Sequence, residues 1–422
     1  MTRSQTPRAV RTRALLCAAL VLAASLSAPT ALSAVTDPEP VVLQPPAPTG
    51  SHPTGRTTLH LVDPDRGHPW VPAAEDRDVV VDVWYPARGG GEPAPYVPAS
   101  FAETMKRDFE QYGIPRDAVD AAGARTASRL DAEAVDARLP VLLFSPGMGM
   151  SRHQYTALGE DLASRGFVVA AMDHPYEALV VELPDGRLLR TALPTNNTGN
   201  RRLAGGVRLA DARFVLDRLE GFAAGEDAAD DSGHPLPRGL ADALDMERVG
   251  MFGHSLGGVT TAETMLVDDR VDAGVNMDGS LAYHVGDEEW SDATLAGASR
   301  PFALMGAGAS GDEGLPHHSD HSPDWRLFVE ASSAPVLEVY MPDGEHMAST
   351  DLQWIAPQLE EAFSPSSAAW RNAVRGGLGT VDPEDSVAAQ RAHLAAFFDH
   401  HLRGGASPLP DPAPAVTEVT EH

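Results

Sequence analysis

The chain has 422 residues and a formal net charge of −28, with 60 acidic against 32 basic side chains. That length holds one large domain or two ordinary ones. So acidic a surface argues against nucleic-acid partners and anionic membranes.

Residues 1–34 read as an export signal. Arg3, Arg8, Arg11 and Arg13 form a basic start without an acid, and the apolar run 14–26 is too short to span a bilayer. Ala34 is the expected last residue of the signal; an uncleaved membrane anchor is the rival. Its removal takes away four arginines and no acid, leaving −32. Cys17, the only cysteine, goes with it. The mature chain is then expected to be secreted, with no disulfide, thiol chemistry, zinc–thiolate site or stable membrane insertion.

Residues 35–54 are rich in proline and small side chains and read as a linker. Structure is expected from Gly55. Segments 57–62 and 78–84 alternate or run apolar with β-branched residues and read as strands. Residues 99–136 are helical in composition, broken by Gly113 and Pro115, and Phe101, Met105, Phe109 and Tyr112 fall at amphipathic spacing. Core packing is the default for that stripe. Residues 139–145 (L-P-V-L-L-F-S) are a strand pattern buried on both faces, followed by the tight loop Pro146-Gly147-Met148-Gly149. Helical periodicity over 151–165 stops at Gly166, and 167–172 is another buried strand. Pro184-Asp185-Gly186 turns a hairpin within 177–191. An amphipathic helix covers 207–222, and 223–237 is polar and flexible.

Residues 249–258 read V-G-M-F-G-H-S-L-G-G. A strand pattern meets G-x-S-x-G and a helical pattern follows, the context in which Ser255 is presented as a nucleophile on a strained turn. Side chains at Gly253 and Gly257 would collide across that bend. The helix is expected to run to Val267. Strands over 271–277, 301–306 and 335–341, a helix over 324–331 and a last helix over 384–402 follow. Residues 405–422 read as a disordered acidic tail. The alternation implies one α/β catalytic domain over 55–404, with a mostly parallel central sheet and helices on both faces.

A serine hydroxyl needs a base, and the base needs an acid to fix its tautomer. In this architecture they follow the serine in the order acid, then histidine. His346, in the loop after the last core strand, can reach the serine and is assigned as base. His393, His400 and His401 fall on the final helix, where an exposed face explains them; His422 lies in the tail. His284 is close enough to a strand end to line the cleft. His317, His318 and His321, with Asp320, have metal-ligand spacing but no distant ligand set, and no metal is assigned. For the acid, Asp278 ends the strand 271–277 in N-M-D-G-S, while Asp312 sits in the looser G-A-S-G-D-E; Asp343 is a weaker third. Geometry gives Asp278 only a modest preference. The oxyanion needs two donors. The backbone N–H groups of Leu256 and Met148 are the candidates. This chemistry requires no cofactor.

These residues resemble plasma-type (isoform II) platelet-activating factor acetylhydrolases, secreted serine esterases and lipases of the α/β-hydrolase fold. The likeness runs from about Gly55 to Thr350 and is best over 144–174, from F-S-P-G-M-G-M-S-R to A-A-M-D-H. V-D-V-W-Y-P-A at 81–87, G-H-S-L-G-G at 253–258 and N-M-D-G-S at 276–280 also match. The resemblance favours Asp278 over Asp312, matches Met148 to the second oxyanion donor, and puts His346 in a loop with an acid, Asp351, a few residues on. The family often has histidine where this chain has Pro146; a backbone donor tolerates that change. Stretches 286–299 and 307–323 do not match, which leaves the acyl pocket open. The expected reaction is hydrolysis of a short-acyl or phospholipid-like ester, with a small-molecule or lipid ester as partner. A broad lipase or polyester hydrolase, a peptidase of the same fold, and a catalytically silent binding protein are the alternatives.

Overall fold

The computed structural model describes residues 39–422 apart from 75, 195–196, 284–288 and 311–313. The signal reading, His284 and Asp312 therefore lie outside the described residues.

The apolar runs of the sequence become strands of an 11-stranded sheet. In chain order they are β1 (Thr54–Asp63), β2 (Arg77–Pro86), β3 (Pro93–Pro95), β4 (Arg125–Leu130), β5 (Leu139–Ser145) and β6 (Val168–Asp173). They continue with β7 (Leu244–His254), β8 (Val271–Met277), β9 (Phe302–Ala307), β10 (Val336–Met341) and β11 (Glu418–Glu421). Their order in space is β11-β10-β9-β8-β7-β5-β6-β2-β1-β4-β3. The six neighbours from β10 to β6 are parallel, and β2 is antiparallel to both β1 and β6.

The helices used below are α1 (Ala99–Gln111), α2 (Thr156–Ser164), α3 (Thr198–Ala224), α4 (Leu256–Val267), α5 (Asp292–Ala296), α6 (Pro323–Ala331), α7 (Leu352–Phe363) and α8 (Pro383–Arg403). Strand β5 explains why they cover both faces. Val141 and Leu143 pack with Val215, Leu216 and Phe222 of α3, whereas Leu142 and Phe144 pack with Leu158 of α2 and Phe398 of α8. A strand apolar at every position must be covered on both sides. From β5 the chain moves to β6 on one side, then returns to place β7 on the other. The carboxyl ends of β5 and β7 thus flank the switch point at which open α/β sheets form crevices.

Four expectations need correction. The stretch 99–136 is helical only as far as Gln111. Pro115 cannot continue a helix, and Arg125–Leu130 joins the sheet parallel to β1. Its inward residues, Thr126 and Ser128, are small and polar, which hides the strand alternation; the Ser128 hydroxyl donates to Glu160 (2.6 Å). The apolar stripe Phe101, Met105, Phe109 packs on Trp354 and Leu359 of α7.

From Pro40 onward the proline-rich segment is not a free linker, and the folded body begins there rather than at Gly55. Val41 and Val42 pair with Val119 and Asp120, Leu43 is buried, and Thr49 donates twice to Asp161 (2.7 and 2.8 Å). Those partners come from remote chain segments, so composition cannot reveal them.

The tail is likewise ordered into β11, antiparallel on β10. Pairing satisfies backbone groups that an open edge would leave to water. Thr417 accompanies it and hydrogen-bonds His393 Nε2 (3.0 Å); His393 is buried, not on an exposed face. No helix among the described residues is long and apolar enough to cross a membrane.

Candidate active site

Ser255 lies between the last residue of β7 and the first of α4, with φ 55° and ψ −122°. A side chain at positive φ is strained by about 1–3 kcal/mol and must be held by its surroundings. Its N–H donates to Met277 O (2.8 Å), and its carbonyl accepts from Gly258 (2.9 Å). A Cβ on Gly253 would fall 2.2 Å from Gly257 O, and one on Gly257 would fall 1.9 Å from Ser145 O. Neither position accepts a side chain, as the sequence reading required.

His346 opens a short 3-10 turn after β10. Its Nε2 is 3.0 Å from Ser255 Oγ, and its Nδ1 is 2.5 Å from Asp278 Oδ2. Asp278 is the first residue after β8 and also has a positive φ, 56°. Its N–H donates to Met305 O of β9 (2.8 Å), which fixes where the carboxylate emerges. Asp278 Oδ1 accepts from Ala307 N–H (2.9 Å) and His317 Nδ1 (2.7 Å). Burial pushes this carboxyl up, but contact with His317 and His346 outweighs it and holds the group well below the usual carboxylate range. Asp278 is almost fully buried, whereas the His346 side chain is 47% exposed. The inner partner is shielded and the outer one is open to the cleft.

His254 supports His346 from beneath. Their ring centroids are 4.5 Å apart. A carbonyl only accepts, so His254 Nε2–H donates to His346 O (2.8 Å) while Nδ1 accepts from the Tyr155 hydroxyl (2.8 Å). Burial and the neighbouring His346 push the His254 pKa down to about 3, which keeps it neutral.

The loop after β5 faces the Ser255 turn. A buried ion pair grips it: Arg208 of α3 donates to Pro146 O (2.5 Å) and Gly147 O (3.0 Å) and forks onto Glu177. Glu177 in turn accepts from Gly149 N–H (3.3 Å). Met148, Ser255, Leu256, Tyr283, His317 and His346 all line one cavity of about 250 Å³.

The structure thus brings Ser255, His346, Asp278, Met148 and Leu256 to one cleft. Asp343 instead offers its carbonyl to Thr380 and Val381 (2.7 and 2.8 Å). Asp351 is buried at the start of α2, where it accepts from Thr156 N–H (3.0 Å) and Ala157 N–H (3.3 Å). The three loop histidines do not converge: His317 turns to Asp278, and His318 lies 3.5 Å from Glu338. Among the described residues no group of three or more histidine, cysteine or acidic side chains could hold a metal ion.

Sequence reasoning missed the Arg208–Glu177 grip, the His254–Tyr155 support and the contact of His317 with Asp278. It also missed a second Ser-His-Asp array. Ser145 Oγ lies 3.0 Å from His174 Nε2, whose Nδ1 is 2.8 Å from Asp211. All three are buried, and Ser145 Oγ already accepts from Arg208 (3.0 Å), so no substrate reaches it.

A doubly covered parallel sheet, with a serine on a strained strand-to-helix turn at its switch point, defines an α/β-hydrolase. The family model for platelet-activating factor acetylhydrolase, isoform II, matches residues 120–181. A probable 1-alkyl-2-acetylglycerophosphocholine esterase of Arthroderma benhamiae is 26% identical over 275 residues, 63% of this chain and 61% of that protein. A Bos taurus platelet-activating factor acetylhydrolase is 29% identical over 181 residues, 36% of this chain and 38% of its own length. The chain therefore spans less than two thirds of these curated relatives. A solved ferulic acid esterase from Streptomyces cinnamoneus is 36% identical with a TM-score of 0.70, covering 90% of this chain and 98% of that one. The chain belongs with the α/β-hydrolase esterases, and over part of its length it is similar to the isoform II platelet-activating factor acetylhydrolases.

Proposed function

We propose that the chain is an exported serine carboxylic-ester hydrolase acting on short-acyl or phospholipid-like esters, with Ser255 as nucleophile, His346 as general base and Asp278 as its acid. The observation that carries this reading is the unbroken line Ser255 Oγ–His346–Asp278, at 3.0 and 2.5 Å, ending on a serine held at positive φ.

His346 Nε2 takes the hydroxyl proton as Oγ attacks the ester carbonyl. Asp278 keeps the Nδ1–H tautomer and stabilises the imidazolium. The N–H groups of Met148 and Leu256 receive the oxyanion. His346 then returns its proton to the departing alcohol. A water, deprotonated by the same nitrogen, releases the acid and frees Ser255.

The cleft supports a small acyl group, since about 250 Å³ lies below the range typical of drug-sized ligands. The curated relatives named as acetylhydrolases support an acetylated glycerophospholipid. A second reading, an aromatic acyl ester, is favoured by the likeness to a ferulic acid esterase and by Tyr283 in the cleft wall. Hydrolysis rates on p-nitrophenyl acetate, a 2-acetylglycerophosphocholine, methyl ferulate and a peptide anilide separate these. Fastest relative turnover of the acetyl esters supports the first reading, and methyl ferulate leading supports the second. Anilide turnover above ester turnover, or no turnover at all, sinks both. Export rests on the basic and apolar pattern of residues 1–34. N-terminal sequencing of protein recovered outside the cell reads Val35 on this account; Met1 contradicts it.

A further inference from the structure

Asp278 carries two imidazoles, one of which the proposed reaction does not use. His346 approaches Oδ2, and His317 Nδ1 approaches Oδ1 at 2.7 Å. His317 is fixed on every side. It is buried, and its ring lies 4.1 Å from that of Trp325 at 33°. Trp325, itself fully buried, donates its indole N–H to Gly279 O (2.9 Å), next to Asp278 in the chain. The His317 N–H donates to Gly308 O (3.1 Å). Its carbonyl fills the space over Gly306, where a Cβ would come within 2.0 Å.

A carboxylate can only accept, so the proton between His317 and Asp278 belongs to Nδ1. The other nitrogen, Nε2, is buried without a hydrogen-bond partner among the described residues, although the residue borders the Ser255 cavity. Leaving a buried polar atom unpaired is costly. The His317 side chain is therefore poorly explained by packing alone. We propose that His317 is a positioning residue for the acid of the Ser255 site: its Nδ1–H holds Asp278 Oδ1 so that Oδ2 alone is presented to His346. The inference rests on the reading of Ser255, His346 and Asp278 given above.

Two effects follow from this arrangement. The carboxylate cannot rotate about its Cβ–Cγ bond without breaking the bonds from His317 and Ala307 together. Its negative charge is also shared between two rings, so His346 feels less of it than it would alone. Burial opposes a charge on His317, but Asp278 outweighs it and raises the group's pKa, so the sharing strengthens as pH falls. The other ionisable groups facing His317 are Asp324 and Glu338. Asp324 accepts from Ser280 and Leu281, and Glu338 from Ser319. His254 faces His346, and Glu345 precedes it in the chain.

The test compares His317→Asn with His317→Leu. The Asn side-chain amide nitrogen takes the place of Nδ1; Leu removes the donor. kcat and kcat/KM for p-nitrophenyl acetate are measured from pH 5 to 9. The Leu variant is expected to lose at least tenfold in kcat. The acidic limb of its kcat/KM profile moves to higher pH, because Asp278 then acts on His346 undivided. The Asn variant recovers most of the rate, because its amide N–H still holds Oδ1, but its limb stays above that of the wild type, because an amide takes up no proton to share the Asp278 charge. A Leu variant with wild-type rate and limb overturns the proposal, as does a slow variant whose limb stays put or an Asn variant as slow as Leu. Proton NMR keeps the question open to refutation if Leu does not fold: among the downfield imidazole N–H signals of the wild type, which include that of His174 on Asp211, one is expected to be lost in His317→Asn. A set of downfield signals unchanged in that variant overturns it. A wild type that neither hydrolyses esters nor reacts at Ser255 overturns the underlying reading as well; an active wild type beside an unaffected Leu variant overturns this inference alone.

Discussion

Asp278→Asn separates the two sides of one carboxylate. Oδ1 accepts from Ala307 N–H and His317 Nδ1, while Oδ2 faces His346 Nδ1. An amide has one oxygen and one NH2. Turning NH2 toward Ala307 and His317 sets it against two donors, so the oxygen stays there and NH2 faces His346. His346 must then accept at Nδ1 and carry its proton on Nε2, where it cannot take the proton from Ser255. A wrong tautomer of this kind costs about 10⁴-fold in kcat, or about 5.4 kcal/mol of transition-state stabilisation. The fold should survive, because both structural hydrogen bonds on the Oδ1 side persist. Steady-state kinetics on p-nitrophenyl acetate, with circular dichroism to check folding, provide the assay. Asp312→Asn serves as the control and should stay near wild type. A folded Asp278→Asn enzyme within tenfold of wild type refutes the reasoning, and a collapse in Asp312→Asn reverses the assignment.

Two further predictions come from buried charge. Arg208→Met leaves Glu177 buried and unpaired, which costs about 3–5 kcal/mol of stability. Adding Glu177→Met should restore most of that, yet kcat should stay at least tenfold low because the Pro146–Gly147 carbonyls have lost their donor; recovery of both together refutes the positioning role. His393 has its pKa pushed down to about 4 by burial, from an ordinary 6.5. The unfolded chain then binds the extra proton between those values, so the stability this group contributes is intact above pH 6.5 and is lost as pH falls toward 4, by about 3 kcal/mol at most. Asp351, pushed up to about 6 by burial, works the other way, losing stability as pH rises through that value. Urea unfolding at pH 4 to 7 should show a shallower acid loss in His393→Leu than in wild type, and an identical slope contradicts it.

How much of this was legible depended on whether the signal was local. The Ser255 turn was, because G-x-S-x-G encodes its own steric demand and the flanking runs identify strand and helix. The strand Leu139–Ser145 was legible because burial on both faces leaves an unbroken apolar run. Arg125–Leu130 was not, since its inward positions carry Thr126 and Ser128, whose partner Glu160 is distant in sequence. The ordered ends were hidden for the same reason: Thr49 and Glu418–Glu421 depend on Asp161 and on the edge of β10. At the site, chain order nominated His346 and left Asp278 beside Asp312, and the family resemblance favoured Asp278. Nothing in H-H-S-D-H marked His317 as different from His318, because what distinguishes them is which side of the loop meets Asp278.

The central claim is that Ser255 is a nucleophile activated by His346. Labelling with a fluorophosphonate, followed by intact mass and peptide mapping, tests it most directly. The account predicts one equivalent of phosphonate on the peptide containing Ser255, loss of esterase activity in proportion, and no labelling of Ser255→Ala or, at matched times, of His346→Ala. No adduct on the folded wild type, or an adduct on Ser145 of the buried Ser145–His174–Asp211 array, would contradict it.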